Sequence, residues 1–290
     1  MARRKLRSRP GRLLNSVIAV AVAAEFVALI GHPLFGWGDK YYAATPPSLA
    51  YHAALPPSGA DVLIRLAAAA TQFAATHSAA APSVPGAYAY VKRQSWQLAN
   101  AGSGAPPPAH VLPVVTESWQ APNGAGRVLR FIRGASRVST QTVAAGPGRS
   151  RPPLSTSAPA LAGRLRAAAA GTPGPAGEFV GLAQLTGDQP IPPRVQAVIL
   201  GLLVHLPGLI DSGTVIDRDG RAGVAVSLES GASGELIRYT LIFAPATGAL
   251  LEADQMLVGD PSAPDVRPDA VIAYTTFLAA GYVDSATARP

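Results

Sequence analysis

The sequence predicts an α+β protein: one curved antiparallel sheet with helices packed on its concave face, preceded by an apolar N-terminal helix. Three observations lead there. Hydrophobic residues make up 48% of the 290 positions and charged residues 14%, enough for a sizeable core. The apolar period switches between helical and alternating in the order helix, three strands, helices, then about five strands. Asn123-Gly124 sits between two alternating runs, the strongest short signal for a hairpin.

The first elements read as an address. Arg3, Arg4, Lys5, Arg7, Arg9 and Arg12 have no acid among them, and the rest of the chain holds 18 Lys and Arg against 17 Asp and Glu. The net charge of +7 therefore belongs to a short tail rather than to a nucleic-acid-binding face, and no nucleic-acid partner is expected. Residues 13–37 follow, apolar apart from Asn15, Ser16, Glu25 and His32, and long enough to cross a bilayer as a helix. The basic side predicts residues 1–12 to be cytoplasmic and everything past Trp37 to lie outside. The competing reading is a cleaved signal peptide, with Ala21, Ala23 and Ala24 as the small residues; it would release a secreted protein. An uncleaved anchor is favoured because the apolar run continues through Phe26, Val27, Leu29 and Ile30. Glu25 reads as a protonated or outward-reaching residue past the midpoint of the span.

Residues 38–57 carry Pro-bearing text, "ATPPSLAYHAALPPS", and read as a stalk; residues 58–290 are the extracytoplasmic domain. Ser58 and Asp61 form a capping-box pattern, with Val62, Leu66, Ala69, Ala70 and Phe73 at helical spacing up to His77. Alternation over 87–99, 110–121 and 126–134 predicts a three-stranded meander, with Tyr88, Tyr90 and Trp96 on one face of the first strand. Pro113 points to an edge or a bulge in the second strand. Residues 134–157 read as a flexible excursion. Short helices are expected near 158–170 and 177–186, and a stronger one over 193–205, with Pro in its first turn and Pro207-Gly208 as its stop. Strands are expected near 213–217, 222–229, 235–244, 249–258 and 270–279, with a turn at 244–248.

Chemistry finds little purchase. With no cysteine, disulfides, thiolate metal sites and a cysteine nucleophile are excluded. No nucleophile elbow, P-loop or zinc-protease motif occurs, and His32, His52, His77, His110 and His205 are scattered. Arg127, Arg130 and Arg133 cluster around the third strand as a solvated face or a contact to anionic polymers. Asp217, Asp219 and Gly220 resemble the start of a calcium loop, but Arg221, Ala222 and Leu228 stand at its fifth, sixth and twelfth positions. "DRDG" is therefore read as a hairpin turn. No catalytic residue, metal ligand or cofactor is assigned.

"YAYVKRQSWQL", "TESWQAPNG", "HLPGL", "VIDRDGRAGVAV" and "LIFAPATGALLE" together resemble an uncharacterised actinobacterial family of single-pass extracytoplasmic proteins, over roughly residues 60–285. Its members commonly have Asp where this chain has Ala244, and often a longer cytoplasmic segment similar to part of an anti-sigma regulator. The element order also resembles the half-barrel of lipoprotein carriers and periplasmic lipoprotein sensors. That resemblance implies a half-barrel-like sheet and places Tyr88, Tyr90, Trp96 and Trp119 near an apolar cavity or its rim; the plainer reading is cross-strand aromatic packing. The expected function is a membrane-anchored, non-enzymatic binding or sensing domain for an envelope ligand such as lipid or lipoprotein. The alternatives are a transmembrane regulator related to anti-sigma factors and, with least support, a cell-wall hydrolase.

Overall fold

The computed structural model describes residues 43–52, 58–77, 88–98, 111–132, 138–146, 153–169, 171–232, 234–259, 266–267 and 269–290. Residues 1–12, the span over 13–37, His110 and Arg133 lie outside them. Among the described residues no helix is long and apolar enough to cross a membrane.

The elements run α1 (Gly59–Thr76), β1 (Tyr88–Gln97), β2 (Val114–Gln120), β3 (Gly126–Ile132), β4 (Val138–Val143), α2 (Ala158–Ala168), α3 (Ala176–Asp188), α4 (Pro193–Leu203), β5 (Ile210–Ile216), β6 (Ala222–Ser230), β7 (Ile237–Phe243), β8 (Leu250–Leu257) and β9 (Ala270–Val283). The nine strands among the described residues form one antiparallel, open and curled sheet in the order β4-β3-β2-β1-β9-β8-β7-β6-β5. The expected α+β class and the helix-strand-helix-strand order hold.

α1 begins as its sequence implies. The Ser58 hydroxyl accepts from Asp61 N–H at 3.2 Å, and the Asp61 carboxylate accepts from Ser58 N–H at 3.1 Å. Two of the orphan donors at the helix start are thereby satisfied. The buried stripe is Val62, Leu63, Leu66, Ala70 and Ala74, so it sits slightly rotated from the expected one; Ala69 and Phe73 are only half-buried. α4 starts with Pro193 in its first turn and buries Val195, Ile199, Leu200 and Leu203. Together with α2 and α3 these helices cover one sheet face. Leu63, Leu165, Leu182, Ile199, Leu200 and Leu203 in the helices and Val226 and Phe243 in the strands are fully buried in a single apolar core.

Turns set the registers. In the β2–β3 hairpin Ala121 N–H donates to the Ala125 carbonyl at 2.8 Å, and Gly124 takes φ +83°. That conformation is open to glycine and costly for other residues. Gly248, at φ +65°, ends the β7–β8 turn where α1 and α4 press on it: a Cβ there would fall 2.8 Å from the Leu66 carbonyl oxygen. Gln196 Nε2 donates to the Gly248 carbonyl at 2.8 Å, tying α4 to the same turn.

Three departures from expectation have local causes. The excursion over 134–157 contains a strand, β4, which pairs with β3 along its whole length. Its polar text, "VSTQTV", hid it, because every residue but Val143 is exposed and no buried face imposes alternation. Pro113 stands just before β2 rather than inside it, where its missing N–H breaks no ladder. β9 runs four residues past the expected end, to Val283, because it is central: it pairs with β8 and, across a bulge, with β1. The register shift falls between Lys92 and Arg93 and leaves Leu278 as the extra residue.

Candidate functional site

Side chains alternate across a strand, so burying one face under helices commits the other to whatever remains. On the open face lie Tyr90, Lys92, Gln94 and Trp96 of β1, Glu117 and Trp119 of β2, Tyr274 and Thr276 of β9, Glu252 and Asp254 of β8, Thr240 of β7 and Ser227 of β6, aligned by register. Among the described residues two ionic networks built on buried carboxylates occupy it, each beneath an irregular segment.

The first network lies under residues 43–52. That segment pairs with the edge of β5 through His52 and Thr214, exchanging hydrogen bonds of 2.8 and 3.1 Å. Leu49 and Tyr51 then pack on Val215, Ala225, Ile242 and Leu251. Beneath them the β5–β6 hairpin turn folds across the sheet. Arg218 Nη1 contacts Glu252 Oε1 and lies 3.1 Å from Asp254 Oδ2, and Nη2 donates to the Pro47 carbonyl at 3.1 Å. Arg218 N–H and Thr276 Oγ1 each donate to Glu252 Oε2 at 2.9 Å. The guanidinium stacks on the Tyr274 ring, 4.4 Å from its centroid.

One guanidinium thus serves two carboxylates. Glu252 holds the closer share, whereas Asp254 Oδ1 is buried without a donor. Burial pushes the Asp254 carboxyl up to about 6, against the pull of Arg218, and the neighbouring Glu252 charge adds to the rise. Burial also raises the Tyr51 phenol, with the Asp254 charge second. Burial opposes the Arg218 charge, but Asp254 and Glu252 outweigh it and the guanidinium pKa is raised.

The second network lies under residues 284–290. Glu117 accepts from Tyr90 OH at 3.0 Å and Arg289 Nε at 2.6 Å, with Lys92 Nζ at 3.9 Å. Trp119 Nε1 donates to the Ala288 carbonyl at 2.5 Å, and Arg289 and Arg127 stand over the indole at 5.4 and 5.6 Å. Burial and donation to Glu117 push the Tyr90 phenol up to about 12.

Between the two covered networks the face carries an open groove of about 380 Å³, lined by Lys92, Val115, Phe131, Asp219, Leu278 and Ala279. Four of its six lining residues are apolar, and Lys92 and Asp219 add an ammonium and a carboxylate. The bulge at Leu278 and the folded-over hairpin turn contribute to its walls.

The aromatic residues expected near a cavity separate into two packed groups. Tyr90 and Trp119 form a tilted pair 5.1 Å apart, with Tyr88 and Val283 beside them. Trp96 packs elsewhere, on Val271 and Tyr274. All four residues lie on the face away from the helices, not in the layer between helices and sheet. Arg130 faces Gln141 at 3.4 Å on the exposed wing. The groove residues carried no motif. The paired acids did leave a trace: Glu252 and Asp254, two apart in "LLEADQML", fall on one face of an apolar strand.

Asp217 is a turn residue. Its carboxylate accepts from Asp219 N–H at 3.0 Å, Arg221 N–H at 2.8 Å and Arg221 Nε at 2.8 Å, while Arg221 Nη1 and Nη2 go on to the Phe277 and Leu251 carbonyls. Gly220 takes φ +82°. Among the described residues no group of three or more His, Asp and Glu is placed to hold a metal ion. No family model, curated protein or solved structure matches this chain.

Proposed function

We propose that the protein is a membrane-anchored, extracytoplasmic binding or sensing protein that acts without catalysis on an envelope ligand, through the sheet face opposite the helices. The observation that carries this reading is the seat of residues 43–52. In sequence this segment leads back to the predicted anchor over 13–37, and it is clamped through Pro47 to Arg218 on the face that also bears the groove. A ligand bound at Lys92 and Asp219 acts on the same hairpin turn that holds the segment, so occupancy and the path to the membrane share one element.

The open, curled sheet supports the likeness to half-barrel carriers, but the packing favours a different mode of binding. Helix and strand residues in the core are fully buried, so an acyl chain between the layers would have to part them. The groove instead suits an envelope component that offers an apolar body and charged groups of both signs, and lipid headgroups or lipoprotein peptides have that chemistry.

The test is recovery of the full chain from its native membrane, followed by mass spectrometry of what co-purifies. A lipid, lipopeptide or glycan retained by the wild type and lost from the double variant Lys92→Glu, Asp219→Lys is the expected result. A chain that carries nothing, or a ligand indifferent to both substitutions, overturns the assignment.

A further inference from the structure

The two ends of the sheet are treated differently. At one end β5 is capped, because His52 takes up its Thr214 backbone groups and α1 packs against Ile210. At the other end β4 finishes the strand order, and among the described residues nothing pairs beyond it. Edge strands are commonly protected by charge, proline or a bulge. β4, "VSTQTV", has none of these: its six residues are uncharged, lack Pro and Gly, and pair with β3 without a register shift.

The phase of its hydrogen bonds follows from the β2–β3 hairpin. The closing pair Ala121/Ala125 is hydrogen-bonded, so Trp119/Arg127, Glu117/Leu129 and Val115/Phe131 are too. The intervening Gly126, Val128 and Arg130 direct their backbone groups to Val143, Gln141 and Ser139 of β4. The N–H and C=O groups of Val138, Thr140 and Thr142 therefore point away from the sheet.

We propose that β4 is an interface between two copies of this chain, which pair β4 to β4 antiparallel about Thr140 and continue the sheet through a two-fold axis. An antiparallel two-fold keeps each sheet face continuous only when paired residues lie on the same face. The register centred on Thr140 does this. Thr140 lies opposite itself, Ser139 opposite Gln141 and Val138 opposite Thr142, with all three outward-facing residues of each copy engaged in the ladder. No charge opposes a like charge, and hydroxyl-bearing pairs favour cross-strand contact. A partner chosen by charge would find nothing to read on this strand, whereas a second copy matches it by construction. One strand pair buries less than the roughly 1,000 Å² of a stable interface, so the dimer is weak and concentration-dependent.

The chain has no cysteine, so single-cysteine variants of the full chain in detergent report the geometry directly. Thr140→Cys is expected to form a disulfide-linked dimer under mild oxidation, and Thr71→Cys, on the exposed side of α1, is not. Thr140→Lys, which sets two ammonium groups opposite each other on an exposed strand, is expected to sediment as a monomer at concentrations where the wild type associates, with an unchanged circular dichroism spectrum. Cross-linking of Thr140→Cys no faster than Thr71→Cys overturns the proposal. So does a wild type that stays monomeric at its highest soluble concentration, or preferential cross-linking of Gln141→Cys.

Discussion

The Pro47 carbonyl accepts from Arg218 Nη2 at 3.1 Å, across 171 positions of sequence, and the same guanidinium holds Glu252 and Asp254. A segment without regular structure is thereby fastened to the sheet through an ion network buried beneath it. The consequence is an unequal exchange: removing the cation leaves two buried acids, whereas removing one acid leaves a satisfied pair.

Arg218→Ala should therefore be among the most damaging single substitutions in the domain. It strands Glu252 and Asp254 with no opposing charge, a loss of about 3–5 kcal/mol by analogy with other broken buried pairs. Arg218→Lys restores the charge without the planar fork and should recover only part of it. Urea denaturation of both variants against the wild type checks the order.

Asp254 sets a pH dependence of definite sign. Its carboxyl titrates at about 6 in the folded protein, against an ordinary 3.8. Folding therefore takes up a proton between those values. This group's contribution to stability rises as pH falls through about 6 and is complete near 3.8. Asp254→Asn removes the titration. The stability difference between wild type and Asp254→Asn should change by roughly 2–3 kcal/mol between about pH 8 and pH 4, in favour of the wild type on the acid side. A flat difference across that range would show that Asp254 keeps its ordinary pKa.

Two glycines with similar backbones should respond differently to alanine. Gly220→Ala meets nothing within 4 Å, so only its positive φ of 82° counts, at about 1–2 kcal/mol. Gly248→Ala adds a collision with the Leu66 carbonyl oxygen 2.8 Å away and with Leu200 and Ala70. It should exceed the Gly220 variant by at least about 1 kcal/mol, the ordinary cost of overpacking a filled core. Thermal melts of the two variants give the comparison.

Ser58→Ala should cost about 1 kcal/mol by removing the hydroxyl that accepts from Asp61 N–H, while the backbone N–H at position 58 keeps its bond to the Asp61 carboxylate. Asp61→Asn keeps an acceptor for Ser58 N–H and should cost less. Amide hydrogen exchange in the first turn of α1 is the measurement.

Sequence reading succeeded where structure is local. The cap at Ser58, the Asn123-Gly124 hairpin, the reading of "DRDG" as a turn, and the alternation that puts Tyr90 and Trp96 on one face rest on neighbours within a few residues, and the text carries them directly. β4 escaped because an edge strand exposed on both sides has no pattern to show. Arg218 escaped because it is read as a turn residue until the turn is seen to fold over β8.

By itself the sequence determined the α+β class, the order of elements, the helix start at Ser58, the turn positions, and the apolar segment over 13–37 that makes an anchor the natural expectation. The tertiary structure alone decided that β9 returns to pair with β1, and that residues 43–52 and 284–290 lie over the face opposite the helices. The reason is physical. Local periodicity reports which face of an element is buried, but not what buries it. Pairings such as Pro47 with Arg218 or Arg289 with Glu117 join residues more than 150 positions apart, and only the assembled sheet brings them within hydrogen-bond reach.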